Sequence, residues 1–299
     1  MNTDVRIWLQ TDHELAGSAL AEAEKSFAEA TLVLSRFLPE SDLCALNAAA
    51  GKGARAVSPL LLEVLQLALG LSRETQGIFD PSVLHALCEA GYDATFERVE
   101  MEVDAPAPRR IRAQCGGWRD IVVDGDTVRL PPLVSVDLGG IAKGFMVDRV
   151  TTDLRKMGPV LVDAGGDIRA SGLPGGQPWP VGIGHPLQPG TTIDVVGLRN
   201  EALVTSSIGK RRWRRGGRWM HHLIDPRTQE PAVTDLYAVT VLGKTAAISE
   251  AHAKVALILG TRDGQEYLAS RRLRAWLVQE SGDVLVTCAD DGGARRRTG

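Results

Sequence analysis

Two rhythms of apolar residues run along the chain. Early on they recur every three or four positions, as on a helix with one buried face, and later they alternate or cluster in short runs, as strands do. Over residues 14–37, Leu20, Phe27, Leu34 and Phe37 fall near one face while Glu22, Glu24 and Lys25 face away, which predicts a long helix ended by Pro39. Residues 40–51 read as a short capped helix closed by Gly51, with Asn47 near its end. Ser58-Pro59 supplies an N-cap and a first-turn proline, and Leu61, Leu62, Leu65 and Leu69 form the stripe of a further helix. A weak alternation over Val5–Leu9 predicts an opening strand.

Residues 134–150 read as a short strand, a Gly139-Gly140 turn and a helix start. Val160-Leu161-Val162 is a strand of buried type that runs into a second glycine turn, Gly165-Gly166, flanked by Asp163 and Asp167. Strand candidates follow at 194–198, 202–205, 219–223 and 237–241, spaced as an antiparallel meander. Ser249 is expected to cap a helix that Gly260 ends, and a helix over 264–271 with strands at 275–278 and 284–287 closes the fold. The charged, proline-rich stretch 95–132 predicts a variable excursion with short strands near 121–123 and 128–130. Residues 290–299, rich in glycine and arginine, read as a disordered tail after one folded domain over 1–289.

Composition narrows the class. With 44% hydrophobic and 24% charged residues over 299 positions, the chain is long enough to bury a large core in one or two lobes. A formal charge of −3 gives no global reason to expect a nucleic-acid or membrane partner. Cys44, Cys88, Cys115 and Cys288 form no C-x-x-C pair, which argues against a zinc cluster or a disulfide framework and for reduced thiols. Asp4, Asp12 and Glu14 interrupt any signal-peptide core, and no stretch approaches membrane-spanning length. The expectation is a cytoplasmic protein with no stable membrane insertion.

Several stretches offer chemistry, each beside a plainer reading. Amides at a helix N-terminus after Gly139-Gly140, with the charge of Lys143, suit a phosphate, although a tight turn with a solvated lysine explains the same residues. The spacing matches neither nucleotide-binding glycine motif. Asp80 before Pro81 suits a cap on a helix beginning at Ser82. His221 and His222 point to opposite faces if extended, so a two-histidine metal site is not expected, and Asp225-Pro226 suits a turn in which Asp225 bonds its own backbone. Glu250 and Lys254 share a helix face as an ion pair. Residues 210–218, basic with Trp213 interleaved, are patterned like a nucleic-acid surface, but a solvated hairpin tip suits the overall charge better.

Taken in order, seven stretches resemble the flavin transferase family, the FAD:protein FMN transferases formerly called thiamine-biosynthesis lipoproteins. They are Ser41-Asp42-Leu43 to Asn47; Gly77-Ile78-Phe79-Asp80-Pro81; Asp137-Leu138-Gly139-Gly140-Ile141-Ala142-Lys143-Gly144 with Asp148; Gly165-Gly166-Asp167-Ile168; Thr205-Ser206-Ser207; His222-Leu223-Ile224-Asp225-Pro226-Arg227-Thr228; and the helix at Ser249. The resemblance implies a single α+β domain with a central, mostly antiparallel sheet flanked by helices. It implies FAD as substrate and Mg²⁺ as the helping cation, with FMN passing to a Thr or Ser hydroxyl of a partner flavoprotein and AMP released. By the same resemblance Asn47, Phe79, Asp80, Asp137, Gly139, Gly140, Lys143, Ser206 and His222 bind FAD, and His222, Lys143 and Asp225 are catalytic. The metal helix, usually Ala-Asp-Ala-x-x-Thr, reads here Ser249-Glu250-Ala251-His252-Ala253-Lys254, so Glu250 and Lys254 stand at the metal positions. An ammonium at Lys254 would repel Mg²⁺ or replace part of its charge, and the alternative this raises is a weakened FAD-binding paralogue that carries flavin or regulates a partner.

Overall fold

A computed structural model describes residues 3–99, 101–103, 116–287 and 295–296. Its largest element is a sheet of eight strands: β1 Val5–Leu9, β2 Val160–Ala164, β3 Asp167–Ser171, β4 Ala202–Ser207, β5 Leu236–Gly243, β6 Arg274–Gln279, β7 Val284–Thr287 and β8 Arg295–Arg296. The strands lie side by side in chain order and every pair is antiparallel, so the sheet is a meander opened in places by long excursions. Six α-helices are described: α1 Ala16–Leu34, α2 Asp42–Ala48, α3 Pro59–Glu74, α4 Leu84–Glu89, α5 Ala142–Leu154 and α6 Ala246–Ser270. The α+β class and the large antiparallel sheet are those expected from the sequence.

The chain divides into two compact units, each assembled from separated segments: Met1–Ala28, Lys143–Ser207 and Thr234–Gly299 form the first, Glu29–Ala142 and Ile208–Val233 the second. The first unit holds the sheet. Ala238, Val239, Thr240 and Val241 of β5 are all buried, which requires cover on both faces. One cover is α6, packed along β4 and β5. Another is the two-stranded ribbon Trp179–Gly184 and Thr192–Leu198, whose Val181, Ile183, Val196 and Leu198 cluster with Leu161, Ala170, Leu203, Trp276 and Val286 of the sheet. The β2–β3 hairpin turns on Gly165 and Gly166, at φ 67° and 100°, the doubly left-handed pair that a two-residue hairpin of this twist demands.

In the second unit, Ser41 accepts from Cys44 N–H at 3.0 Å to start α2, and Ser58 with Pro59 starts α3, as the sequence predicts. Its core cluster joins Ala86, Leu87, Ala90, Tyr92, Val99, Trp213, Met220 and Ile224. Trp213, 1% exposed, donates its indole N–H to Ala90 O at 2.9 Å, so it is a core residue and not a platform for stacked bases. Cys44 and Cys88 are free thiols. Cys115, Cys288, residues 104–115 of the excursion, and residues 290–294 and 297–299 of the expected tail lie outside the described residues; Arg295–Arg296 pair with β7. Among the described residues no helix is long and apolar enough to cross a membrane.

Four local expectations are corrected. Residues 134–138 join no sheet: the Asn47 side chain takes the place of a neighbouring strand, donating to Val136 O at 2.9 Å and accepting from Val136 N–H at 2.8 Å. The expected run of strands from 194 to 241 is split, because turn spacing does not specify partners: 192–198 belongs to the ribbon, β4 and β5 are neighbours, and Arg218–His221 pairs with Arg212–Arg215. The helix after Asp80 begins at Leu84, with Asp80 closing the preceding turn instead of capping it. Finally, α6 begins before Ser249, whose hydroxyl donates back to Thr245 O at 2.7 Å; Gly260, at φ 80°, breaks α6 where the sequence placed an end.

Candidate functional site

The first unit gathers four charged side chains. Lys143 stands in the first turn of α5, Asp167 opens β3 directly after the glycine hairpin, and Glu250 and Lys254 lie one turn apart on α6. Lys143 Nζ donates to Asp167 Oδ2 and, at 3.1 Å, to Glu250 Oε1. Lys254 Nζ donates to the same Glu250 oxygen at 2.8 Å, and Gly144 N–H donates to Glu250 Oε2 at 3.2 Å. Gly144 is what brings α5 and α6 this close, because a Cβ there would lie 2.7 Å from the Ala247 backbone.

Burial in the cluster is asymmetric. The carboxylate side chains keep 3% (Asp167) and 1% (Glu250) of their surface, the lysines 21% (Lys143) and 14% (Lys254), so solvent meets the lysines above covered acids. Burial alone would raise the Glu250 pKa, but the ammoniums of Lys143 and Lys254 outweigh it and hold the group down at about 2. Burial would lower Lys143, and the attraction of Asp167 and then Glu250 overcomes it, so this lysine is held above the ordinary range and stays charged. Asp167 is pushed up by burial and then by Glu250, against the pull of Lys143. Lys143 is therefore not the solvated lysine of the plainer reading; it is fixed between two acids.

The N-terminus of α6 is held from a distance. The Asp148 carboxylate accepts from Ala246 N–H at 2.8 Å and Ala247 N–H at 3.0 Å, satisfying two open helix amides, while Arg169 donates to it at 2.9 Å. This carboxylate fixes the register of the turn that carries Glu250.

The sequence resemblance implies Mg²⁺ at Glu250 and Lys254, and the donor set does not fit it. Mg²⁺ requires close to six oxygen ligands in octahedral array. Both Glu250 oxygens already accept N–H donors, Lys254 offers an ammonium where an oxygen ligand is needed, and among the described residues no group of three His, Cys, Asp or Glu is placed to hold a metal ion.

Three aspartates of the second unit each close a local turn. Asp80 Oδ1 accepts from Ser82 N–H at 2.7 Å and from its hydroxyl at 2.5 Å, while Oδ2 accepts from Gly116 N–H at 2.8 Å; burial raises its pKa. Asp137 Oδ1 accepts from Gly139 N–H at 2.6 Å and its Oδ2 pairs with Arg36 Nε at 2.6 Å. Asp225 Oδ1 accepts from Arg227 N–H at 2.9 Å, and the Arg227 guanidinium grips the carboxylate through Nε at 2.9 Å and Nη2 at 2.8 Å. Each aspartate thus bonds the amide two residues on. The Gly139 amide, expected beside a phosphate, is thus held by the Asp137 carboxylate in this structure.

His221 is buried, with Nδ1 accepting from Leu223 N–H at 3.3 Å and Nε2 bonded to Ala232 O at 3.0 Å; burial lowers its pKa. His222, next along the chain, is half-buried. Phe79 is buried, and Ser206 is half-buried on β4, opposite Val239 of β5. Of the residues singled out from sequence, the first unit brings Lys143, Glu250 and Lys254 together and holds Ser206 separately on its sheet. Asp167 was absent from the sequence-derived site, although a glycine turn flanked by acids before an apolar strand is the signal that marks it. Arg36, the partner of Asp137, carries no local signal.

The model of the ApbE family matches residues 1–277. A FAD:protein FMN transferase of Rhodobacter capsulatus is 33% identical over 252 residues, covering 82% of this chain, which spans only 48% of that relative's length. One of Treponema pallidum is 31% identical over 275 residues, covering 86% of this chain and 75% of its own. The fold is shared with the apo flavinyl transferase ApbE of Pseudomonas stutzeri, at a TM-score of 0.82 and 23% identity over 96% of this chain and 95% of that one. It is shared also with the ApbE protein of Thermotoga maritima, at a TM-score of 0.84 and 24% identity over 94% and 93%.

Proposed function

The chain belongs to the ApbE family, and from that membership we propose that it moves the FMN half of FAD onto a Thr or Ser hydroxyl of a partner flavoprotein. The observation that carries the proposal is the family match over residues 1–277, with relatives named FAD:protein FMN transferase. In the reaction the acceptor oxygen forms a bond to the flavin-side phosphorus of FAD. The bond from that phosphorus to the bridging oxygen breaks, AMP leaves with the oxygen, and the acceptor's proton passes to a base.

We assign the phosphate charge to Lys143 and Lys254. Both ammoniums are fixed on Asp167 and Glu250, and their side chains form the more open side of the cluster, which suits a stationary anion clamp. In the second unit we assign the acceptor's proton to His222, whose residue type titrates near neutrality, with the Asp225–Arg227 turn positioning the segment that follows it. By the same family membership Asn47, Phe79, Asp80, Asp137, Gly140 and Ser206 are each proposed as FAD-binding residues; Gly139 contributes through its turn, its amide being engaged. Mg²⁺ is given no part in this reaction by the cluster, whose donor set does not fit it.

The test is to incubate the purified protein with FAD and a Thr-bearing acceptor, then follow AMP by chromatography and attached flavin by in-gel fluorescence. Equal amounts of AMP and attached flavin are expected, with loss of both in His222→Ala. Retention of FAD with no AMP would replace the transferase by a flavin carrier.

A further inference from the structure

The four-residue cluster has the composition of a cation site in which the cation is already supplied by the chain. Its formal charge is zero: Asp167 and Glu250 are balanced by Lys143 and Lys254, each ammonium within hydrogen-bond reach of a carboxylate. A divalent cation beside Glu250 would have to displace ammoniums lying 2.8 and 3.1 Å from Oε1, or share the oxygen with them against like-charge repulsion. Glu250 Oε2 is engaged by the Gly144 amide, a backbone group whose position follows from the close α5–α6 crossing. Lys254 reaches Glu250 across a single helical turn, so its ammonium is placed by α6 itself and not by any larger rearrangement.

We propose that the Lys254 ammonium, with Lys143 beside it, takes the position of the divalent cation, so that this cluster binds no divalent cation and meets a diphosphate with two ammoniums instead. The diphosphate half of the inference rests on the transferase reading above; the cation half stands on the cluster alone. An ammonium differs from Mg²⁺ in ways that can be measured. It is not removed by chelators, it presents N–H donors to phosphate oxygens, and it coordinates no substrate lone pairs.

The probe is Mn²⁺, titrated into the FAD-free protein and followed by electron paramagnetic resonance of the free ion, with FAD affinity measured separately by flavin fluorescence in EDTA and in Mg²⁺. The wild type is expected to bind no Mn²⁺ at the cluster and to hold FAD equally well, within about twofold, in both buffers, whereas Lys254→Met should weaken FAD at least about tenfold with no rescue by Mn²⁺. Lys254→Thr, which replaces the ammonium with an oxygen ligand, should gain one Mn²⁺ per chain; its melting curve establishes that it is folded. One Mn²⁺ bound by the wild type and lost in Glu250→Gln would overturn the proposal, and this readout needs no variant of Lys254. Failure of the wild type to bind FAD in either buffer would end the transferase reading, and the Mn²⁺ titration would still decide the cation half.

Discussion

The two units place their motif carboxylates in opposite ways. In the second unit Asp80, Asp137 and Asp225 each accept from the backbone amide two residues on, so one carboxylate oxygen is always spent on the local turn, even where Gly116 or Arg36 takes the other oxygen of Asp80 or Asp137. In the first unit none of Asp167, Glu250 and Asp148 closes a turn of its own, and each takes a partner far away in the chain: Lys143 reaches Asp167 and Glu250, which Lys254 also holds from one turn along α6, and the Asp148 carboxylate takes the first amides of α6. A turn aspartate shapes one loop and can be lost with local damage. A buried carboxylate shared by two lysines is different, since removing any member leaves another charge buried and uncompensated.

That difference sets the order of expected effects. Glu250→Ala should be the most damaging, destabilising the protein by about 3–5 kcal/mol in urea unfolding, because Lys143 and Lys254 both lose a buried counter-charge. Gly144→Ala should cost about 1–3 kcal/mol by pressing a methyl onto the Ala247 backbone and loosening the α5–α6 crossing. An unchanged melting temperature for either variant would break the contrast.

Acid should separate the units by pH. The pKa of buried His221 lies below its usual 6.5, so the unfolded chain takes up that proton first and stability declines as pH falls below about 6.5. His221→Gln should flatten the melting temperature over that range. Glu250, held at about 2 against a usual 4.5, contributes stability above about 4.5 that is lost as pH falls towards 2, while Asp167, held high, works in the opposite direction and softens that loss. Smallest of all, Arg227→Met in the second unit should change stability by about 0–1 kcal/mol, since that guanidinium is half exposed and the Asp225 turn keeps its backbone bonds.

What the sequence could disclose follows the same division. Ser41 and Ser58 as caps, the Asp225 turn and the Glu250–Lys254 pair are written in neighbouring residues, and the structure contains each of them. The order of the sheet is not local: β1 and β2 pair antiparallel although α1 to α5 intervene in sequence. Residues 134–138 have a strand's composition, but their hydrogen bonds go to the Asn47 side chain, a partner that no periodicity reveals. Asp167 and Asp148 were legible as acids near glycine or on a helix; what they hold was not, because Lys143, Ala246 and Ala247 reach them only through the packing of α5, β3 and α6.

The central claim is that the α5–α6 cluster behaves as one unit of mutually dependent charges. A double-mutant cycle of Glu250→Gln and Lys254→Met, read by urea unfolding, tests it most directly. The two substitutions should couple by more than about 1 kcal/mol, the double variant being more stable than the sum of the single losses predicts. Additivity within about 0.5 kcal/mol would contradict the claim and make Lys254 a solvated surface lysine beside an independent acid.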